Sequence, residues 1–192
     1  MHAGDQVALT KPDLKEEFVS GEEAYSGGFL RVQRDKVRLP DGTVSEREYI
    51  RHPGAVAIFA LTDAGHVVLE RQFRYPLARV FIEIPAGKVE PGEGLLETAK
   101  RELLEETGYC ASDWQRMTTI HNAIGYSDES IEIYVARGLE MRAPKLDAGE
   151  FLEVFTASLE EGLSMVRDGR ITDVKTMVAL FWLQAFAAGQ SR

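Results

Sequence analysis

The chain has 192 residues, enough for one substantial hydrophobic core and about one to one and a half ordinary domains. Hydrophobic residues make up 44% of the sequence and charged residues 28%, as in an ordinary globular protein. The formal net charge of -9 argues against a protein that binds the nucleic-acid backbone, which requires a basic face. A small anionic substrate remains compatible with this charge, because bound metal ions reverse the charge locally.

Cysteine content and the N-terminal sequence bear on the cellular compartment. Cys110 is the only cysteine, which excludes an intrachain disulfide and a cysteine-rich zinc site. Residues 1–18 are polar and acidic and lack the apolar segment of a signal peptide. The longest apolar runs, 55–61 and 178–183, are too short to cross a bilayer. We therefore expect a cytoplasmic protein that binds neither membranes nor nucleic acid.

The N-terminal quarter of the chain predicts a β-hairpin. Residues 1–24 are interpreted as a lead-in without regular structure. Two runs that alternate apolar and polar residues, 29–39 and 43–52, flank a Pro-Asp-Gly turn. Because an isolated two-stranded hairpin is marginally stable, it must pack on another element or on a second subunit. We therefore predict a β-rich dimerisation region over residues 1–52 and a second domain over residues 53–192.

Apolar and alternating runs after residue 53 predict a mixed sheet. The run 55–62 is apolar throughout, as in a strand that is buried on both faces. Turn residues separate it from further runs of strand length. These runs are 66–75, 81–85, 116–123, 130–139 and 151–157.

Two helices are predicted near the C-terminus. Ser158 and Glu161 have the spacing of a capping box, which predicts a short helix that ends near Gly169. Thr172 is predicted to cap a second helix that runs to about Ala187. The apolar side chains of this second helix form a broad stripe, which is typical of core or dimer contacts.

A third helix is predicted within residues 83–109, which contain seven acidic side chains. The turn residues Pro91 and Gly92 precede an apolar stripe with a 3.6-residue period. Gly108 follows the stripe, at a position where a left-handed C-terminal cap is common. The stripe consists of Leu95, Leu96, Ala99, Leu103 and Leu104.

Three glutamates share the opposite face of this helix, which we expect to be exposed. Glu102, Glu105 and Glu106 lie three and four residues apart, so their Cβ atoms are roughly 5–6 Å from one another. Like charges at this spacing repel, and a cation is needed to compensate them. Mg²⁺ binds one or two carboxylates together with substrate phosphates. An ordinary solvated acidic face is the alternative interpretation.

The whole segment resembles the Nudix box, G-x5-E-x7-R-E-U-x-E-E-x-G-U, in which U is an aliphatic residue. The box also has an aliphatic residue at its last position, where this chain has Tyr109, and that position is a packing site. The resemblance implies an α/β protein with a Nudix-type α/β/α sandwich and a mixed sheet, to which the N-terminal β-hairpin region is appended. The fixed positions of the box are matched by Gly87, Glu93, Arg101, Glu102, Leu103, Glu105, Glu106 and Gly108.

The resemblance implies a hydrolase that cleaves a nucleoside diphosphate linked to another moiety. Its cofactor would be Mg²⁺, with Mn²⁺ as an alternative, and its nucleophile would be water. Arg101 would orient the carboxylates and Glu93 would support the junction between loop and helix. Glu105 is a candidate base. The implied metal ligands are the carbonyl of Ala86 and the carboxylates of Glu102, Glu106 and Glu150.

Three further segments resemble the ADP-ribose pyrophosphatase branch of the family. Arg47 and Glu48 match nucleotide-binding positions on a strand that reaches across a swapped dimer. Arg74 matches an arginine near the diphosphate or the terminal ribose. Glu129 matches the acidic position of a loop in which Ile124 replaces the usual proline. For Arg47, Arg74 and Glu129 a surface ion pair is the alternative interpretation.

The loop KLDAGEFLEV departs from the pattern of this branch. It resembles a D-E-x-E motif that supplies a base and a second carboxylate to the metals. Asp147 and Glu150 match that motif, but Ala148 occupies the position of its first glutamate. Glu150 would then act as metal ligand or as base, and Glu129 or Glu105 would be substitutes for the missing side chain.

The sequence therefore predicts a homodimeric, Mg²⁺-dependent enzyme that cleaves ADP-ribose to AMP and ribose 5-phosphate. The nearest alternative is the same chemistry on another nucleoside diphosphate sugar, such as GDP-mannose. A different class of protein, a non-catalytic Nudix-fold sensor of the ligand, is a third hypothesis. The intact glutamates of the box and the lack of a DNA-binding appendage argue against a sensor.

Overall fold

The structure is a computed structural model that describes residues 13–142 and 151–189. The described residues fall into two compact units. One consists of the described residues up to His52 together with Gly125–Asp128, and the other contains Pro53–Ile124 and the described residues from Glu129 onward. Within the described part of the chain, no helix is long and apolar enough to span a membrane.

The N-terminal unit is a three-stranded antiparallel sheet of β1 (Glu17–Ser26), β2 (Arg31–Arg38) and β3 (Val44–Arg51), in that order. Strands β2 and β3 form the predicted hairpin, with Arg31 opposite Arg51 and Arg38 opposite Val44. The predicted lead-in is wrong for its last part, because β1 pairs with β2 along its whole length.

Strand β1 was not predicted because its sequence lacks the alternation of a half-buried strand. All its residues are exposed, so it has no alternation of buried and exposed positions. It also carries Gly21, a residue that weakens a strand. The structure explains this glycine, because a Cβ atom there would lie 2.0 Å from Oδ1 of Asp35 on β2.

The segment Gly125–Asp128 joins this unit through the end of β3. The amide of Ile50 donates to the carbonyl of Tyr126 at 2.9 Å. The Asp128 carboxylate accepts from the amide of His52 at 2.7 Å and from the Arg51 guanidinium at 3.0 Å. A segment distant in sequence is thus fixed to the strand that carries Arg47 and Glu48.

The second unit contains seven strands and three α-helices among the described residues. Its four-stranded sheet has the order β7-β4-β9-β8, in which β4 and β9 are parallel and the other pairs antiparallel. A three-stranded antiparallel sheet has the order β10-β5-β6. The elements are β4 (Ala55–Ala60), β5 (Val67–Arg74), β6 (Arg79–Glu83), β7 (Ala86–Lys88), α1 (Leu95–Thr107), β8 (Tyr109–Ile120), β9 (Ile131–Met141), β10 (Leu152–Ala157), α2 (Leu159–Arg167) and α3 (Val174–Gly189).

Strand β4 lies in the middle of the core and is buried on both faces, as its apolar run predicts. Phe59 belongs to one buried cluster, which includes Leu180 of α3. Ile58 belongs to a second cluster, on the other face, which includes Ala99 and Leu103 of α1. Helix α1 thus covers one face of the sheet while α2 and α3 cover the other, which confirms the predicted α/β/α arrangement with a mixed sheet.

The helix ends agree with the sequence in two cases and differ in one. Ser158 and Glu161 form the predicted capping box at the start of α2. Gly108 ends α1 in the left-handed conformation, at φ 74°. The predicted cap of α3 at Thr172 is wrong, because the carboxylate of Asp173 accepts the amide hydrogen of Thr176 at 2.9 Å.

Candidate active site

Strand β7 brings a stretch of backbone alongside helix α1. In the edge pairing of the four-stranded sheet, Ala86 lies opposite Ala57 and Gly87 lies opposite Val56. The neighbouring residue of β4, Ile58, packs in the same buried cluster as Leu103 of α1. The carboxylates of α1 therefore meet the backbone of β7 rather than open solvent.

The expectation of an exposed acidic face is wrong for the glutamates of the box. Glu106 is buried, with 4% of its surface exposed, and its Oε2 accepts the amide hydrogen of Ala86 at 3.0 Å. The side chains of Glu102 and Glu105 are 13% and 24% exposed. Strand β7 and the loop that follows it cover this face, which periodicity within the helix does not reveal.

The absence of a side chain at Gly87 makes room for the Glu102 carboxylate. A Cβ atom at Gly87 would lie 1.8 Å from Oε1 and 1.9 Å from Cδ of Glu102. Both atoms belong to the end of the Glu102 side chain, so an added methyl group would push this carboxylate out of its place. Glycine at this position therefore allows the carboxylate to lie against the backbone of β7.

One guanidinium, that of Arg101, contacts three carboxylates. It donates to both oxygens of Glu93 at 3.0 Å and to Oε2 of Glu105 at 2.9 Å. Its Nη1 also lies 2.9 Å from Oε1 of Glu102. The hydrogen bonds to Glu93 are the largest cause of an Arg101 pKa that is raised above its ordinary value. Arg101 therefore stays charged and links loop and helix.

Glu93 is the carboxylate most strongly held in this cluster. It receives hydrogen bonds from Arg101 and, at 2.8 Å, from the hydroxyl of Thr98 in the first turn of α1. These bonds, with Arg101 as the largest cause, lower the pKa of Glu93 from 4.5 to about 2. Glu93 therefore remains ionised and ties the loop before α1 to the helix.

The donor set of this cluster suits a hard divalent cation. One guanidinium faces several carboxylates, which leaves an excess of negative charge on oxygen atoms, the ligands that Mg²⁺ and Ca²⁺ prefer. Among residues 13–142 and 151–189, no three acidic, histidine or cysteine side chains are already arranged to hold a metal ion. Glu102 faces Arg101 and Glu106 faces the amide of Ala86, so these side chains would turn to bind one.

The residues expected at the substrate are distributed over the two units. Arg47 and Glu48 lie in the N-terminal unit and pair with Glu16 and Arg34. Glu129 lies in the second unit and is half-buried. Glu150 lies outside the described residues, together with the neighbouring Asp147 and Ala148.

Arg74 also lies in the second unit and binds a buried carboxylate. Its Nε and Nη2 donate to the two oxygens of Glu83, each at 2.8 Å. Burial raises the pKa of Glu83, but the hydrogen bonds from Arg74 and the charge of Lys175 outweigh it and lower this pKa to about 2. Glu83 was counted among the acidic side chains of residues 83–109, but neither its pairing with Arg74 nor any role for Lys175 was predicted from the sequence. The available signal was a lysine at the start of an otherwise apolar helix.

Comparison with known proteins identifies the fold and its family. Residues 51–180 match the NUDIX domain. This chain belongs to the Nudix hydrolase family. Residues 16–50 also match the nucleoside diphosphate sugar hydrolase N-terminal domain. The family, the enzyme class and the fold predicted from the sequence are thereby confirmed, and Nudix hydrolases generally need a divalent metal.

Individual relatives cover almost the whole chain. The ADP-ribose pyrophosphatase of Bacillus subtilis (strain 168) is 40% identical over 181 residues, which are 93% of this Nudix chain and 98% of that protein. The methanol dehydrogenase activator of Bacillus methanolicus is 41% identical over 173 residues, 89% of this chain and 94% of that one. The crystal structure of an ADP compounds hydrolase has the same fold, with a TM-score of 0.84 at 24% identity, and covers 95% of this chain and 100% of that one.

The lowered pKa of Glu93 predicts a pH-dependent effect of Glu93→Gln. Because this pKa is about 2 in the folded protein and 4.5 ordinarily, the unfolded state binds more protons between these values. The stabilising contribution of Glu93 is therefore present above about pH 4.5 and is lost as the pH falls toward 2. Thermal unfolding should show Glu93→Gln to be less stable than the wild type at neutral pH, by a margin that shrinks over this range.

Glu97→Gln is the matched control for this experiment. Glu97 is 66% exposed and pairs with Lys100, so its ion pair is screened by solvent and contributes little. A stability difference for Glu93→Gln that stays constant from neutral pH to the acid limit would contradict the ion pair with Arg101.

The space requirement at Gly87 predicts a large effect of Gly87→Ala on catalysis. The added methyl group would displace the Glu102 carboxylate, so hydrolysis of a nucleoside diphosphate substrate should fall by about 100-fold, the scale of a small misplacement of reacting groups. Gly94→Ala is the control, since a Cβ atom there meets nothing within 4 Å. Equal rates for Gly87→Ala and the control would show that the position of Glu102 is not critical.

Proposed function

We propose that this Nudix hydrolase cleaves ADP-ribose to AMP and ribose 5-phosphate with Mg²⁺ as its ion. The observation that carries the proposal is the cluster of carboxylates around Arg101, set against the backbone of Gly87. The choice of ADP-ribose as the substrate is supported by a relative named ADP-ribose pyrophosphatase, which is 40% identical over almost the whole chain. The match of residues 16–50 to a nucleoside diphosphate sugar hydrolase domain supports the same substrate class.

In this proposal the residues of α1 and β7 would hold the ion. The carboxylates of Glu102 and Glu106 and the carbonyl of Ala86 would be its protein ligands, with Glu150 as a further candidate. A divalent ion held there would supply positive charge to the phosphate oxygens and would lower the pKa of a bound water. Arg101 stabilises the ligand carboxylates before the ion arrives, because it already offsets part of their mutual repulsion.

The reaction needs an acceptor for one proton. A water oxygen forms a bond to one phosphorus while the bond from that phosphorus to the bridging oxygen breaks, and the bridging oxygen leaves with the other phosphate. A carboxylate near the cluster takes the proton of the attacking water. Glu105, which is 24% exposed at the edge of the cluster, is the candidate within the described residues, and Glu150 is the other.

Arg47, Glu48, Arg74 and Glu129 are proposed to bind the substrate. The side chain of Arg74 is 42% exposed, so an anionic group can reach it from solvent. The side chain of Arg47 is also 42% exposed. A planar guanidinium donates two parallel hydrogen bonds to a phosphate group, which suits both arginines to a nucleoside diphosphate.

Two alternatives concern the substrate and turnover. Another nucleoside diphosphate sugar, such as GDP-mannose, fits the same cluster, and the N-terminal domain match names only the class. One relative at 41% identity is named as an activator of methanol dehydrogenase, so similar chains carry different named roles. A sensor that binds without turnover would keep the fold but would release no product.

Product analysis with a panel of substrates tests the proposal. The protein is incubated with Mg²⁺ and ADP-ribose, GDP-mannose, UDP-glucose or a dinucleoside polyphosphate, and the products are separated by chromatography. We expect AMP and ribose 5-phosphate to appear fastest from ADP-ribose, and Glu106→Gln to abolish turnover without unfolding the protein. Faster cleavage of GDP-mannose than of ADP-ribose would mean that the preferred substrate is another nucleoside diphosphate sugar. If no compound yields a product, a non-catalytic sensor is favoured.

We also propose that the enzyme is a cytoplasmic homodimer that associates through its N-terminal region. The N-terminal unit exposes large apolar side chains, on its strands and beside them, that a second copy would cover, since a monomer seldom exposes many of them together. The single cysteine is consistent with a reducing compartment. The exposed apolar side chains are Leu14, Phe18, Val19, Tyr25, Phe29, Leu30 and Val44.

Sedimentation velocity tests the association directly. At micromolar concentration the chain should sediment with twice its sequence mass, and Phe18→Asp together with Val44→Asp should shift it to the monomer. Val80→Asp is the control, because Val80 is similarly exposed, at 57%, but lies on β6 in the second unit. A monomeric wild type that is fully active would contradict a dimer that contributes to the site.

A further inference from the structure

Two cations, one on strand β5 and one on helix α3, bind the buried carboxylate of Glu83. Arg74 on β5 donates to both of its oxygens at 2.8 Å. Lys175, the second residue of α3, forms a short ion pair with Oε2. Lys175 also lies 3.1 Å from Oδ1 of Asp173. The four side chains form a network of two cations and two anions. The pKa of Arg74 is raised chiefly by its hydrogen bonds to Glu83, and the nearby carboxylates of Glu70 and Glu106 also raise it.

The two cations differ in their access to solvent. The Lys175 side chain is 8% exposed and the Glu83 side chain 4%, whereas 42% of the Arg74 side chain is exposed. Lys175 is therefore enclosed together with Glu83. Arg74 extends from the buried carboxylate to the surface, so it is the partner that an anion from solvent can reach.

The network is fixed to the backbone that leads into the proposed metal site. Thr176, next to Lys175, accepts the amide hydrogen of Ile84 at 2.9 Å. The carbonyl of Pro85 accepts the amide hydrogen of Ile58 at 2.8 Å. Ala86 follows directly and donates to Glu106. The first turn of α3 therefore holds Ile84, two residues upstream of Ala86, whose carbonyl is proposed as a ligand.

We propose that Lys175 is a positioning residue that keeps Glu83 neutralised while Arg74 turns from Glu83 to the diphosphate of the substrate. This inference rests on the proposed function, in which Arg74 contacts a nucleoside diphosphate. Lys175 does not itself touch the substrate. It determines whether Arg74 is available, and so it controls affinity for the diphosphate group.

The physical reason is the penalty for a buried carboxylate without a cation. Among the described residues, Arg74 and Lys175 are the cations that form ion pairs with Glu83. If residue 175 were an uncharged side chain, departure of Arg74 would leave the buried Glu83 carboxylate without a cation, which is strongly unfavourable. Arg74 would then remain on Glu83, and the diphosphate would lose a ligand. With Lys175 present, the carboxylate stays paired throughout.

The test measures binding of inorganic pyrophosphate by calorimetry, with steady-state kinetics on ADP-ribose beside it. Lys175→Met should weaken pyrophosphate binding at least about tenfold, the scale of losing one partner of a buried charge pair. It should raise KM for ADP-ribose by a similar factor while kcat changes less than about threefold. Lys175→Arg should retain wild-type values. Lys100→Met, which breaks an ion pair at the surface, is the control.

A double variant separates this role from a structural one. Glu83→Gln combined with Lys175→Met removes the buried charge that retains Arg74, so pyrophosphate affinity should return to within about threefold of the wild type. A purely structural role for Lys175 predicts a double variant at least as impaired as the single one. Far-ultraviolet circular dichroism and thermal melting show whether each variant is folded.

The possible outcomes bear separately on this inference and on the proposed function. Unchanged pyrophosphate affinity in Lys175→Met, or no recovery in the double variant, would overturn the inference. A wild type that binds no pyrophosphate would overturn it as well, because Arg74 would then not be a diphosphate ligand. Pyrophosphate binding that follows the predicted pattern in a protein inactive on ADP-ribose would support the inference and refute the proposed substrate.

Discussion

The contact of Arg101 with three carboxylates is the interaction on which the site depends. Glu93, Glu102 and Glu105 would repel one another at this spacing without a cation between them. One rigid guanidinium resolves this repulsion and joins the loop before α1 to the helix. It leaves an excess of negative charge on oxygen atoms, so the same arrangement that stabilises the free protein is suited to a divalent cation.

The position of the backbone of strand β7 is the second constraint on the site, and it depends on residues outside the Nudix box. Strand β7 lies against α1 closely enough that a methyl group at Gly87 would displace the Glu102 carboxylate. The segment that leads into β7 is held from the other side of the sheet, where Thr176 of α3 accepts the amide hydrogen of Ile84. Both layers of helices therefore contribute to the position of one short edge strand.

The sequence predicted most of the fold because its signals are local. The apolar run of β4, the capping box at Ser158 and the left-handed Gly108 each follow from a few neighbouring residues. The fixed spacing of the box likewise identified the glutamates of α1. Strand β1 was missed because its residues are all exposed and carry no alternation. The burial of Glu106 and the partnership of Glu83 with Lys175 were missed because they join elements far apart in sequence.

Binding of Mn²⁺, followed by electron paramagnetic resonance, tests the central claim that the carboxylates of α1 hold the ion. Wild type should bind Mn²⁺, and Glu102→Gln should weaken this binding by about 10-fold or more while the melting temperature stays close to that of the wild type. Glu97→Gln, on the exposed side of the same helix, should bind as the wild type does. Equal Mn²⁺ affinity in all three proteins would contradict the assignment of the ion to this cluster.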